Sequence, residues 1–192
     1  IVYGQRDQVL NGEDLRDQIV KMIEQAIEAQ VDKYLPAATL RDDWDLNGLR
    51  EHYMGWLIGP DDLQYDESEM EKLDPEYVKE EICKKAMAQY EAREQAYGDK
   101  VMRELERVVL LKNVDREWMD HIDAMEELQK GIRLRAYGQR DPVVEYRLEG
   151  FDMFDEMIAT IRENTARMML TVQLRTQEEP KREQVAKPTS TS

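Results

Sequence analysis

Apolar residues recur every three or four positions along most of this chain, and the breaks in that rhythm divide it into elements. Leu15, Ile19, Ile23, Ile27, Val31 and Leu35 form a stripe at four-residue spacing, which predicts an amphipathic helix of about five turns. Asn11 reads as its N-cap, with Glu13 and Asp14 in the first turn, where the positive end of the helix dipole favours acids. Pro36 stops it. Residues 1–10 have no starting cap and read as the tail of a helix that begins upstream. From Ala37 to Asp74 the rhythm is lost, apart from a short helix expected at Leu46–Tyr53 with Asp45 as cap; Gly55, Gly59 and Pro60 then punctuate the chain.

Asp74-Pro75 is a clean restart, with Asp at the N-cap and Pro at the first helical position. The helix it opens carries Tyr77, Val78, Ile82, Ala86 and Tyr90 towards a stop at Gly98. A longer stripe follows almost at once: Val101, Leu105, Val108, Leu111, Val114, Trp118, Ile122, Met125, Leu128 and Ile132. Asp141-Pro142 repeats the start signal. Val144, Leu148, Phe151, Phe154, Ile158, Ile161, Thr165, Met168 and Val172 then make a matching stripe. Two long stripes joined by a short polar tip predict an antiparallel helical hairpin with the stripes face to face. Beyond about Arg175 the sequence turns polar, with two prolines and no period, and is expected to be disordered.

Composition agrees with an all-α fold. Only 7% of the 192 residues are aromatic and nine are glycine, whereas strands draw on aromatic and β-branched residues. The net charge of −15 argues against a nucleic-acid binder, whose footprint is a basic patch. One cysteine, Cys83, leaves no internal disulfide and points to a reducing compartment. No apolar run approaches the roughly 18 residues that span a bilayer, and no secretory signal is present. The chain begins Ile1-Val2-Tyr3 without a methionine, as a piece of something larger would.

Few constellations carry chemistry. There is no GxxxxGK[ST], no glycine-rich dinucleotide loop and no GxSxG, so these residues have no phosphate cradle and no catalytic residues are assigned. Glu117 and His121 lie four apart, but a bundle metal site needs Glu-x-x-His from more than one helix, and no second motif exists. Both histidines, His52 and His121, read as satisfied helix-surface residues, and Cys83 as an inert, partly buried thiol. Met125, Met153, Met157, Met168 and Met169 sit at or near stripe positions and are expected to pack in the core. Ten acids against Lys72 and Lys79 between Asp61 and Glu81 read as a solvated face. Trp118, inside its stripe, reads as a packing anchor.

The hairpin tip is different. Lys130, Arg133, Arg135, Arg140 and Arg147 against Asp141 and Glu145 give a local charge of +3 in an acidic chain. Tyr137 stands at the apex, where a purely structural turn needs only Gly138 and Asp141-Pro142. An aromatic there buries nothing without a partner.

At this point the sequence resembles a known family. LQKGIRLRAYGQRDPVVEYRLEGFDMFDEMI is similar to the two-helix finger of SecA, the bacterial preprotein translocase motor, and the preceding VDREWMDHIDAMEELQ continues the match. RDQVLNGEDL near the start and DWDLNGL further on keep it in order, so the resemblance covers roughly residues 1–172. It implies an end of a first helical-scaffold segment at 1–33, a helical wing at 34–99, the two-helix finger at 100–172 and a tail at 173–192. It also implies that Tyr137, Arg133, Arg135, Gln139 and Arg140 contact the preprotein or the SecYEG channel, and that the hairpin restrains ATP hydrolysis by motor domains. Those domains, binding ATP and Mg²⁺, would precede Ile1; the fragment alone would be inactive and hold no cofactor. The implied location is the cytoplasm, peripheral on the cytoplasmic face of the cell membrane, where the basic tip also suits anionic lipid. The cysteine-rich zinc motif that ends many members is not found after Lys187. Two other classes fit parts of the pattern: a stand-alone acidic helical adaptor that binds a protein partner, and a carboxylate-rich metalloenzyme bundle.

Overall fold

The computed structural model describes residues 15–135 and 141–174. Among them the chain is all helical: α1 (Arg16–Tyr34), one turn of 3-10 helix (Arg41–Asp43), α2 (Leu46–Tyr53), α3 (Glu67–Met70), α4 (Pro75–Tyr97), α5 (Asp99–Arg135) and α6 (Pro142–Thr171). The only β-type pairing among the described residues is an isolated bridge between Met54 and Ile58. Asn11 and the segment after Leu174 lie outside the described residues, as does the tip from 136 to 140.

The local signals place most boundaries. Asp45 caps α2 by accepting from the Gly48 N–H at 2.8 Å. Asp74 and Asp141 cap α4 and α6 by accepting from the N–H groups of Glu76 and Val143, and each is followed by proline at the first helical position. Gly98 ends α4 at φ 82°, a conformation that favours glycine, and α5 starts on the next residue. The acidic run holds a helix that its apolar pattern does not announce: the Asp66 carboxylate accepts from the Glu69 N–H and the Glu69 carboxylate accepts from the Asp66 N–H, a capping box that starts α3. The run is also not wholly solvated. Asp62 pairs with Lys85 at 2.9 Å, and Tyr65 donates to Glu81 at 2.7 Å.

All six residues of the α1 stripe are buried, because α1 is covered by both α6 and α4. Val78, Ile82, Ala86 and Tyr90 of α4 are buried against it. Each fully buried Val, Leu or Ile side chain contributes roughly 1.5–3 kcal/mol, so this three-helix contact is the centre of the fold. Tyr77, expected on the same stripe, is exposed instead.

The hairpin departs most from its pattern. α5 and α6, about 55 and 45 Å long at the usual rise per residue, pack antiparallel; the expected faces are buried most fully in their lower halves, and the tip-side end of the α6 stripe is open. In α5 the buried residues are Met102, Leu105, Glu106, Val109, Leu110, Asn113 and Val114, with Leu128 and Ile132 further out. Val101, Val108 and Ile122, expected inside, are exposed. The true seam is rotated and includes polar positions, since α1, α4 and α6 all touch the lower half of α5. Asn113 donates to Thr165 at 3.2 Å inside this seam. Of the five methionines, Met157 and Met169 are buried, while Met125, Met153 and Met168 are half-buried. Gly150 lets the helices approach: a Cβ there would lie 3.0 Å from the Met125 methyl.

Candidate functional site

The hairpin has a fixed base and, further out, an open apolar line on α6. Its base is tied by polar side chains from every neighbouring element. Glu163 of α6 meets His52 of α2 at 2.8 Å and Gln30 of α1 at 3.4 Å. One turn further along α6, the Arg167 guanidinium lies over the Trp56 ring at 5.4 Å. On α5, Glu106 is fully buried and receives both Nε and Nη2 of Arg103 at 2.8 Å, with the Tyr90 hydroxyl donating to the same carboxylate. Arg103 also reaches Glu94, which pairs with Arg16 at 3.3 Å. These ties join α1, α4 and α5 in one network.

Burial alone would lower the Arg103 pKa, but the carboxylates of Glu106 and Glu94 override it and raise it. Burial also pushes up Glu94, yet Arg103 and Arg16 outweigh that and hold its carboxyl below the usual range. Tyr90 is pushed far up by burial and by its bond to Glu106, so it stays a hydroxyl donor.

Above the base, the face of α6 expected to be core is open. Val144, Leu148 and Phe151 are 50, 61 and 63% exposed. They fall at i, i+4 and i+7, one line along the helix. The reading of this stripe as core is therefore corrected: the stripe needs a third helix over it, and α1 covers only the end nearer Ile158 and Ile161. Phe154 marks the border, half-buried with its ring 5.8 Å from His121.

Of the residues singled out from sequence, Trp118 is half-buried on α5, packed on the core, with its ring 5.8 Å from His121. Arg133 is exposed in the last turn of α5, and Arg135 is that helix's final residue. Tyr137, Gln139 and Arg140 lie outside the described residues. The open line of Val144, Leu148 and Phe151 therefore leads from the base towards the tip where those residues stand in sequence. Its periodicity is that of a core, and nothing in the pattern separates the two.

The chain matches the SecA Wing and Scaffold domain over residues 1–173. It belongs to that family.

Relatives agree. It is 41% identical over 192 residues to the protein translocase subunit SecA of Acetivibrio thermocellus, covering 100% of this chain and 21% of that protein. It is 42% identical over 192 residues to the protein translocase subunit SecA 1 of Alkaliphilus metalliredigens, with the same coverage. With the SecA of Desulforamulus reducens it shares 38% over 185 residues, 96% of this chain and 21% of that one. The chain thus spans about a fifth of the length of the curated relatives it matches.

Other chemistry in this SecA wing and scaffold chain is sparse. Burial and the nearby Glu24 push the Cys83 thiol up to about 11, which keeps it a poorly reactive thiol near neutrality. Among the described residues no three His, Cys, Asp or Glu side chains form a metal-binding group, and no helix is long and apolar enough to cross a membrane.

The fold should loosen in acid. Asp62, held low by the Gly59 N–H and by Lys85, and Glu94 both have depressed folded pKa values. The stability they add is fully present above the unfolded value of about 4 and is lost as pH falls through the folded values. A chain carrying Asp62→Asn and Glu94→Gln should melt lower than the parent at pH 6, and the gap should close towards pH 3. Thermal melts followed by circular dichroism measure this; a gap that stays constant with pH contradicts it.

Proposed function

We propose that this chain is the wing and scaffold portion of an ATP-driven SecA-type translocase, with the upper half of its hairpin as the surface that meets the translocating polypeptide and the SecYEG channel. The observation that carries this reading is the open apolar line of Val144, Leu148 and Phe151 below a basic, aromatic tip. A helix face that the described residues leave uncovered marks an interaction site. The relatives' name, protein translocase subunit, supplies the process.

In this reading residues 1–33 end a first scaffold segment, 34–99 form the wing, 100–172 the two-helix finger and 173–192 a tail. ATP with Mg²⁺ is bound and hydrolysed by motor domains outside these residues, and the hairpin restrains that hydrolysis until channel and substrate engage. The molecule works in the cytoplasm and at the cytoplasmic face of the membrane, where the basic tip also suits anionic lipid. Tyr137 makes the apical contact, and Arg133, Arg135, Gln139 and Arg140 flank it.

The Tyr137→Ala variant of the full-length protein tests this. Translocation of a preprotein into channel-bearing vesicles is expected to fall about tenfold, as for an aromatic contact worth ~1–2 kcal/mol, with the melting temperature unchanged. Unchanged translocation would remove Tyr137 from the contact surface.

A further inference from the structure

The last turn of α6 is closed by side chains from another helix. A helix leaves its final four carbonyls without donors of its own. Most helices solve this locally, with a left-handed glycine or a basic residue in the last turn. α6 has neither: its C-cap is Val172 at φ −61°, and its last turn holds no basic residue. Instead Gln89 Nε2 donates to the Leu170 carbonyl at 2.7 Å, and Arg93 Nη2 donates to the Val172 carbonyl. Four residues apart, Gln89 and Arg93 project from one face of α4.

The same Gln89 amide reaches the Trp56 carbonyl at 3.1 Å, and the Trp56 ring receives Arg167 from α6. The loop after α2, helix α4 and the end of α6 thus meet around one amide. Beyond the cap the chain leaves the helix extended at Val172, and Leu174 joins Val101, Leu105 and Val108 of α5 in lining an apolar groove.

We infer that Gln89 and Arg93 form a C-cap in trans, so that the last turn of α6 and the exit path of the chain depend on α2 and α4 being seated against the hairpin base. With α4 seated, the carbonyls are satisfied and Leu174 stays at the groove. With α4 withdrawn, Leu170 and Val172 lose their donors, the turn frays and Leu174 leaves α5. Displacement of the α2–α4 unit is thereby registered at the base of the hairpin, whatever moves it. The inference rests on this geometry and not on the translocation reading.

Hydrogen exchange followed by mass spectrometry on the full-length protein tests it. Three variants remove the cap: Gln89→Ala, Arg93→Ala, and Gln89→Glu, which keeps the volume but turns an acceptor towards the carbonyls. Exchange at Leu170, Thr171 and Val172 is expected to quicken about tenfold, the effect of losing one charge-assisted or buried bond. Protection in α1 at Ile19–Ile27 should hold. His52→Ala, which cuts the separate tie of α2 to Glu163 and touches neither carbonyl, should quicken the same amides about two- to threefold. Unchanged exchange in the cap variants, equal acceleration throughout the chain, or no response to His52→Ala would each overturn the inference.

Discussion

Replacing Glu106 by alanine should destabilise the chain by about 3 to 5 kcal/mol, the usual consequence of removing one partner from a buried ion pair. Glu106 is fully buried and takes two hydrogen bonds from Arg103 and one from Tyr90. Without it, Arg103 keeps Glu94 and its bond to the Tyr90 hydroxyl oxygen, but the Tyr90 O–H loses its acceptor beside a cavity. The substitution takes the acceptor from the buried Tyr90 hydroxyl and one of two carboxylates from Arg103, and an unpaired buried group costs more than its bond was worth. Glu106→Gln, which keeps an acceptor for Tyr90 and the packing volume, should lose clearly less. For a chain of this length the alanine variant should melt roughly 10 °C lower or more. Chemical denaturation is the decisive measurement, and a loss below about 1 kcal/mol would mean that the network is solvated and not part of the core.

Leu148→Glu and Phe151→Glu should do the opposite: leave stability within about 0.5 kcal/mol, as surface substitutions do, and depress translocation at least tenfold when combined. Both side chains are more than half exposed, so little burial is lost on substitution. In the proposed function their worth lies in a contact made with a partner, and a carboxylate placed in an apolar contact must be desolvated on docking. Glu is also a good helix former, so α6 keeps its local preference. Melting the double variant alongside a vesicle translocation assay separates the two effects. If it unfolds, the line is core after all; if it translocates normally, the hairpin works through its tip alone.

These predictions come from positions that the sequence ranks in the wrong order. Glu106 is one acid in a helix dense with charges of both signs and has no sequence feature that marks it as buried. It is inside because the lower half of α5 is wrapped by α1, α4 and α6, a face too wide for apolar residues at single spacing to describe. Val144, Leu148 and Phe151 have core spacing and are outside. Period reports that a helix has an apolar side; it says nothing about whether the same chain supplies a cover. The partners of Gln89 and Arg93 are likewise invisible in one dimension, since Leu170 and Val172 lie 81 and 79 positions away.

The sequence by itself determined the parts whose causes are local. Asp45, Asp74 and Asp141 set helix starts through bonds to N–H groups two or three residues on. Pro36 and Gly98 set stops, and the stripe of α1 set a buried face because helices lie on both sides of it. The all-α class and the SecA resemblance needed nothing more. Tertiary structure alone decided which part of the α6 stripe is core and which is open, where an ion network is buried, and how α6 ends without a terminator of its own. The physical reason is the same in each case: caps and turns are satisfied within a few residues, whereas desolvation depends on what other segments bring to the same place.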